Sequence, residues 1–288
     1  MQRIGFVLAI GAVAFMLGCN DAGRAPVFTD AEVQRIVRSD TFAVATDSVE
    51  ADTFAMPAEH LPAAVDELFD DFIFAFDQNS ALQRQRVAFP LPVDGDDGTD
   101  TIVSPADWHH QHVFMHQDFC TVLWSSPREM LLADDISVDS AAVEQIYLHS
   151  RHATSMQFAR DSADGHWRLL GQRRLAFADM PLAHFLDFYA RFATDSAYQR
   201  AHVSSQLRFV STDEDGEEEP VVGFIDVDQW FEFAPELPRD VLTNIRYGQD
   251  YNHLRRIIMQ MRGISNGLEI QLSFVRDGDA WRLVGYEN

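Results

Sequence analysis

Apolar residues recur at helical spacing in a segment that begins near residue 65. They lie 3, 4, 7, 8 and 11 residues after the first one and share one face of a helix: Val65, Leu68, Phe69, Phe72, Ile73 and Phe76. Asn79 and Ser80 interrupt the pattern, and residues 81–87 read as a second short helix. We expect the phenylalanine stripe to lie in the core; the alternative is that it lines a ligand cavity.

The same passage occurs twice. FDDFIFAFDQNSALQR begins at Phe69 and FLDFYARFATDSAYQR begins at Phe185, with eight of 16 aligned positions identical. The closing segments also match, FARDSADGHWRLLG from Phe158 and FVRDGDAWRLVG from Phe274. Repetition at this spacing predicts an internal duplication.

Most of the remainder predicts β-strands, in segments 143–148, 155–160, 166–170, 255–261, 268–276 and 280–286. Asn266-Gly267 and Asp277-Gly278 are typical of tight hairpin turns. Helices followed by antiparallel strands indicate an α+β fold.

Each copy places an Asp on its first helix and an Arg 13 residues later, Asp71 with Arg84 and Asp187 with Arg200. One hypothesis is that each pair forms a structural ion pair that fixes the angle between the two helices. The alternative is two solvated charges that contribute under about 1 kcal/mol.

Acidic segments at 94–100 and 213–219 lie between strand-like runs. Glycine among carboxylates is typical of turns, which predicts solvated hairpin tips. Calcium binding is the alternative, but neither segment has the twelve-residue spacing that ends in Glu.

The most suggestive stretch for metal chemistry runs from Trp108 to His116. Ser104 and Pro105 resemble a helix start, and on a helix His109, His112 and His116 would share a face. His112 and His116 have the spacing of zinc ligands, so these three histidines are weak metal candidates. Structural histidines or a pH-sensitive surface are the alternatives, and we expect no metal, cofactor or catalytic residue.

The N-terminus has the pattern of a signal peptide. One Arg at position 3 precedes an apolar run over residues 4–17 that is too short to span a bilayer. The run ends in Leu17-Gly18-Cys19, which resembles the lipobox of bacterial lipoproteins and implies lipid attachment at Cys19. An ordinary secretory signal is the alternative, and Asn20 in place of Asp favours the outer membrane. The second cysteine, Cys120, is expected to be a small buried residue.

Length and charge narrow the classes of function. A chain of 288 residues is typical of two domains. The formal net charge of −23 argues against nucleic acid and against anionic membrane surfaces as partners.

Several segments together resemble one family of Gram-negative bacterial lipoproteins, a family known only as a domain of unknown function. They are DELFDDF with the later QR and FPLP, ATDSAYQR, the stretch from Gln229-Trp230-Phe231 to Leu237-Pro238, NIRYGQ and GISNG. The resemblance implies an NTF2-like cone in each half, with helices packed across a curved antiparallel sheet. The expected organisation is a signal peptide over 1–19, a flexible tether over 20–60 and two NTF2-like repeats over 61–180 and 181–288.

Two classes of function remain. The first is a lipid-anchored envelope protein that binds a small ligand or another protein without catalysis. The second is a hydrolase- or isomerase-type enzyme that uses an Asp–His pair in a cone pocket. Convergence of titratable groups in a polar pocket would favour the enzyme.

Overall fold

A twelve-stranded sheet and two helix pairs make up most of the residues that this computed structural model describes, 63–212 and 219–288. The helices are α1 (Phe69–Gln78), α2 (Ser80–Arg86), α3 (Ala183–Thr194), α4 (Ser196–Ala201) and α5 (Val227–Phe233). The strands are β1 (Leu91–Asp94), β2 (Thr101–Val103), β3 (Phe119–Trp124), β4 (Ser140–Tyr147), β5 (His152–Arg160), β6 (Trp167–Ala176), β7 (Val203–Ser211), β8 (Val221–Ile225), β9 (Val241–Arg246), β10 (Arg256–Gly263), β11 (Glu269–Asp277) and β12 (Ala280–Glu287). The predicted α+β class and both helix pairs are confirmed.

Polar caps account for the breaks between paired helices. The Asn79 side chain accepts hydrogen bonds from the backbone N–H groups of Ala81 and Leu82, both at 3.0 Å, and so begins α2. Asp195 does the same for α4 through the N–H of Tyr198 at 2.9 Å. These side chains satisfy helix-start donors that would otherwise lack partners. Within residues 63–212 and 219–288, no helix combines the length and apolarity needed to cross a bilayer.

The strands lie in the order β2-β1-β6-β5-β4-β9-β3-β10-β11-β12-β7-β8. From one edge toward the centre the strands are β2, β1, β6, β5 and β4. From the other edge they are β8, β7, β12, β11 and β10, which is the same order with each number raised by six. The first hairpin, β1 with β2, carries the acidic segment 94–100 at its tip, as predicted. Residues 213–218 of the second acidic segment lie outside the described residues.

The two strands at the middle of the sheet are β9 and β3. Strand β9 pairs antiparallel with β4, and β3 pairs antiparallel with β10. Strand β3 runs parallel to β9 with one aligned residue pair, Thr121 and Asn244. Strand pairing therefore crosses the boundary expected at residue 180, because each half supplies a strand that pairs with the other half.

The apolar side chains form two cores on opposite faces of these central strands. On β3, Cys120, Val122 and Trp124 belong to one core and Leu123 to the other. Alternate residues of a strand point to opposite faces, so β3 contributes to both cores at once. The sheet is consequently buried on both sides at its centre.

Candidate functional site

Aromatic rings fill the space between each helix pair and the sheet. In the first core, Phe72 has Phe76 and Phe158 at centroid distances of 5.4 and 5.9 Å. In the second, Phe185 has Phe274 and Trp281 at 5.4 and 5.3 Å. These are ordinary contact distances for packed rings. The phenylalanine stripes are therefore core, as expected, although Phe185 also borders the open cleft described next.

An open cleft lies beside the start of α3. It encloses about 260 Å³, and its floor consists of side chains that are almost completely buried: Leu182, Phe185, Tyr251 and Trp281. The rim consists of His184, His253 and Arg276, which are exposed. A second hollow of about 400 Å³ shares His253 and Arg276 and adds Arg255 and Gly278. We call this whole surface the basic cleft.

The tautomer of His184 follows from its contact with the floor. The Trp281 indole Nε1 lies 3.0 Å from His184 Nδ1. An indole N–H can only donate, so His184 Nδ1 must accept. The proton of the neutral imidazole then lies on Nε2, which leaves that nitrogen as a hydrogen-bond donor at the rim.

The backbone around the cleft is also unusual. Helix α3 has no side-chain cap at Leu182 and no acidic residue in its first turn. His253 adopts a left-handed conformation with φ 55°, which is uncommon for a residue other than glycine. Asp250 precedes it and accepts a hydrogen bond from the Asn252 N–H at 2.8 Å, closing a tight turn. This turn places His253 and Leu254 at the cleft.

The matching surface of the first half is closed by its own side chains. Arg160 corresponds in sequence to Arg276, and its guanidinium carbon lies 5.1 Å from the centroid of the Trp167 ring. Arg160 also donates to the Glu67 carbonyl at 2.9 Å. Asp66 accepts from the Trp167 backbone N–H at 2.9 Å and pairs with Arg86 at 2.9 Å. The two halves therefore differ at this position.

The predicted histidine helix was wrong. Residues 104–118 form turns, with Met115 and His116 in left-handed conformations. The Gln83 side chain on α2 bonds both the carbonyl and the N–H of Gln111, at 2.8 and 2.9 Å. These contacts replace the backbone pairing that a helix would require.

The candidate metal residues do not assemble into a site. His112 lies between His110 and His116, with ring centroids 4.6 and 3.8 Å apart and ring planes tilted by 50° and 37°. His109 instead bonds the Asp107 carbonyl at 2.9 Å. Partial desolvation and the neighbouring His116 and His110 hold the pKa of His112 below its usual value. Among residues 63–212 and 219–288, no group of three or more His, Cys, Asp or Glu side chains is arranged to hold a metal.

The two ion pairs predicted between paired helices do not form, and other partners replace them. Asp187 pairs with Arg151 at 2.5 Å and Arg200 with Asp228 at 2.5 Å. Arg84 donates to the carbonyls of Pro105 and Trp108 at 3.0 and 3.2 Å. Asp71 is exposed on α1 and has no ion pair within the described chain. The helix break at Asn79 changes the direction of the second helix, so a spacing of 13 residues does not bring the charges together.

Of the two cysteines, Cys120 lies within the described residues and Cys19 does not. Cys19 lies outside the described residues, so its lipid attachment stays a prediction. Cys120 is fully buried in the first core and is a free thiol, as expected. Burial raises the pKa of this thiol, which disfavours the reactive thiolate.

A buried polar cluster lies at the central strands β3 and β9, and the sequence did not predict it. The Asn244 amide nitrogen donates to Glu144 at 2.9 Å, and its carbonyl oxygen accepts from the Leu123 N–H at 2.9 Å. Tyr251, on the floor of the basic cleft, donates to the Leu123 carbonyl at 2.7 Å and lies 3.3 Å from the Asn244 amide nitrogen. Arg246 approaches the second Glu144 oxygen at 3.6 Å. The cluster therefore connects the cleft floor to the centre of the sheet.

A second polar cluster joins α1 to β10 and to the residue that follows β9. Arg262 donates to Asp70 at 2.6 Å and to the Tyr247 hydroxyl at 2.8 Å, and that hydroxyl also donates to Asp70. The Tyr247 ring stacks on Trp124 at 5.5 Å. Burial, reinforced by the Asp70 charge, raises the pKa of Tyr247 and keeps its hydroxyl protonated. We assign this cluster a structural role.

Glu144 is expected to make stability depend on pH. Burial raises the pKa of its carboxyl above the usual value of 4.5. The folded protein then holds a proton that the unfolded chain has released, so the stabilising contribution is present below the unfolded pKa and is lost as pH rises through the folded pKa. Glu144→Gln should therefore gain stability relative to wild type as pH increases from about 4 to 8.

Urea unfolding at a series of pH values measures this difference. The exposed Glu236→Gln is the matched control and should track wild type throughout. A difference for Glu144→Gln that stays constant with pH would contradict the prediction.

Comparison with known proteins places the fold. A crystal structure titled as an NTF2-like protein from Bacteroides fragilis NCTC 9343 is 36% identical, with a TM-score of 0.72, and the match covers 79% of this chain and 98% of that one. No curated protein matches. The family model described as "Domain of unknown function (DUF4348)" matches residues 45–288. The chain therefore belongs to the DUF4348 family, and its fold is similar to that of an NTF2-like protein.

Proposed function

We propose that this protein is a lipid-anchored module of the bacterial cell envelope that binds a small ligand in the basic cleft. The anchor is the lipid on Cys19, and residues 20–60 tether the folded part to the membrane, at the outer membrane in preference to the inner. The sequence around Cys19 supports this placement, because its apolar run is too short to span a bilayer and ends at the cysteine.

One observation carries the binding role: the basic cleft combines a buried apolar floor with an exposed polar rim. Small-molecule sites are concave and mostly apolar, with a few polar groups that orient the ligand. The cleft is concave, with a small apolar area contributed by Leu182, Phe185 and Trp281, and His184 and Arg276 supply the polar groups. The aromatic cores are filled, and the cleft offers room for a ligand at the surface of the NTF2-like body.

The enzyme alternative requires a carboxylate beside a histidine in a pocket, and no carboxylate lines the two hollows of the basic cleft. His149 contacts Asp240 at 2.9 Å, but both side chains are exposed. His166 contacts Asp164 at 3.2 Å and Asp66 at 3.9 Å, and its side chain is 45% exposed. None of these residues lines the basic cleft.

We also infer that the two halves are duplicated NTF2-like units that exchange one strand. The matching helix and hairpin sequences support this origin. Each half has the same strand order from its edge to the centre, except that β9 lies beside β4 and β3 lies beside β10. This arrangement supports an exchange of β3 and β9 between the two halves. The parallel central strands and the cores on opposite faces fit a two-fold rotation about an axis along those strands.

Native mass spectrometry of the full-length protein in a non-ionic detergent tests the binding role. We expect a co-purified small molecule on wild type that is lost from Leu254→Trp, because Leu254 lines both hollows and a larger side chain would fill them. Leu170→Trp, at an exposed position, is the control and should keep the ligand. Absence of any bound molecule, or equal retention by Leu254→Trp, would count against the role.

A further inference from the structure

We propose that the ligand of the basic cleft is a small organic anion: one carboxylate or phosphate head group joined to an apolar body about the size of a single ring. This inference rests on the proposed function, because it names the chemical class of ligand for the same cleft. The observations that carry it are the charge of the rim, the free donors on it and the size of the floor.

The charge of the cleft is opposite to that of the chain. Acidic residues outnumber Lys and Arg by 45 to 22 over the whole sequence. The charged side chains that line the two hollows are nevertheless two arginines, Arg255 and Arg276, and no carboxylate lines either hollow. A concave wall of one charge sign focuses the electrostatic field and favours ligands of the opposite sign. An anion is therefore attracted to the cleft and repelled by most of the remaining surface.

Hydrogen-bond donors on the rim are left available. The Arg276 Nε donates to the Gly278 carbonyl at 3.2 Å, and the only acidic contact of its guanidinium within the described chain is Asp279 at 4.0 Å. Asp279 is fully exposed, so water screens that contact. Arg255 makes no side-chain hydrogen bond or ion pair with any other residue that the structure describes. His184 presents Nε2–H, because Trp281 occupies Nδ1.

These donors suit an anion better than a neutral acceptor. Guanidinium N–H groups match the paired oxygens of carboxylates and phosphates, and such charge-assisted bonds are about twice as strong as neutral ones. The remaining arginine and imidazole donors surround the same opening. A neutral ligand would leave these charges without a partner.

The first hollow limits the size of the apolar part of the ligand. Leu182, Phe185 and Trp281 are each 2% exposed or less. The first hollow is open to solvent and has a volume of about 260 Å³, which limits the ligand in it to about one ring together with its head group. The ring would lie against the floor with the head group toward Arg276 and His184.

The first half of the chain provides an internal control. Arg160 matches Arg276 in sequence but lies over Trp167 and bonds the Glu67 carbonyl. Its guanidinium covers the position that the cleft leaves open in the second half. A substitution at Arg160 removes the same charge from the same protein without altering the cleft.

Isothermal titration calorimetry on the full-length protein in a non-ionic detergent tests the proposal with phenylacetate, phenyl phosphate and neutral phenylacetamide. We expect at least one anion to bind about ten-fold or more tightly than phenylacetamide. The tighter of the two anions identifies the head group. Arg276→Gln should weaken that anion by about ten-fold, and Arg160→Gln should leave it unchanged.

Three results would overturn the proposal: equal affinity for phenylacetamide and both anions, no binding of either anion, or equal losses in Arg276→Gln and Arg160→Gln. Circular dichroism melts of each variant verify that it folds, and Arg255→Gln supplies a second rim variant if Arg276→Gln fails that check. An uncharged molecule found by native mass spectrometry and lost from Leu254→Trp would overturn the anion class while leaving the binding role intact. The two failures can therefore be told apart.

Discussion

Asn244→Ala is expected to lower the free energy of unfolding by about 3 kcal/mol. The amide of Asn244 bonds the Leu123 N–H on β3 and the Glu144 carboxyl on β4, and it contacts the Tyr251 hydroxyl. Strands β3 and β9 share only one aligned residue pair, so side chains replace part of the backbone ladder at this seam. Removal of the amide leaves buried polar groups without partners, and each such group costs about 1–3 kcal/mol.

Chemical denaturation of wild type and variant measures the loss. Asn252→Ala is the matched control, because Asn252 is exposed and its side chain bonds only the neighbouring Asp250. That control should change stability by under about 1 kcal/mol. Similar losses in both variants would mean that the seam does not depend on Asn244.

Cys19→Ser is expected to move nearly all of the protein from the membrane fraction to the soluble fraction. The proposed lipid is attached through the sulfur of Cys19, and serine offers no thiol for that bond. Covalent acyl chains contribute about 0.8 kcal/mol of membrane affinity per buried CH₂ group, so their loss removes the anchor. Fractionation followed by immunoblotting measures the distribution.

The chain contains its own control for this experiment. Cys120 is the only other cysteine, and it is buried in the first core. Cys120→Ser should remain in the membrane fraction, even if burial of a hydroxyl lowers its stability. Retention of Cys19→Ser in the membrane fraction would refute lipid anchoring at that residue.

Local patterns in the sequence were sufficient to predict the two helix pairs and the closing hairpins, but not α5. The phenylalanine stripe from Phe69 to Phe76 has helical spacing, and the Asn79 and Asp195 breaks have cap chemistry, so both helix pairs follow from neighbouring residues. The closing hairpins follow from alternation and turn residues. In contrast, Ser104-Pro105 predicted a helix that does not form. The side chain of Gln83 bonds the backbone of Gln111, 28 residues later, and holds the segment in turns.

The remainder depends on contacts between distant residues. Nothing near β3 indicates that it pairs with β10 and not with a strand of its own half. Arg262 meets Asp70 across 192 residues of chain, and no local motif marks either residue. The basic cleft draws His184, His253 and Arg276 from three separate segments. Proximity of this kind is a property of the folded topology, which a single sequence does not display.

The pairing of β3 with β10 and of β4 with β9 also bears on the order in which the protein can fold during synthesis. Strand β3 ends at Trp124, but its partner β10 ends only at Gly263. A ribosome that has made the entire first half has therefore produced a strand whose antiparallel neighbour does not yet exist. The native pairs β4–β9 and β3–β10 can therefore form only after the second half has been made, so the centre of the sheet is completed late in synthesis.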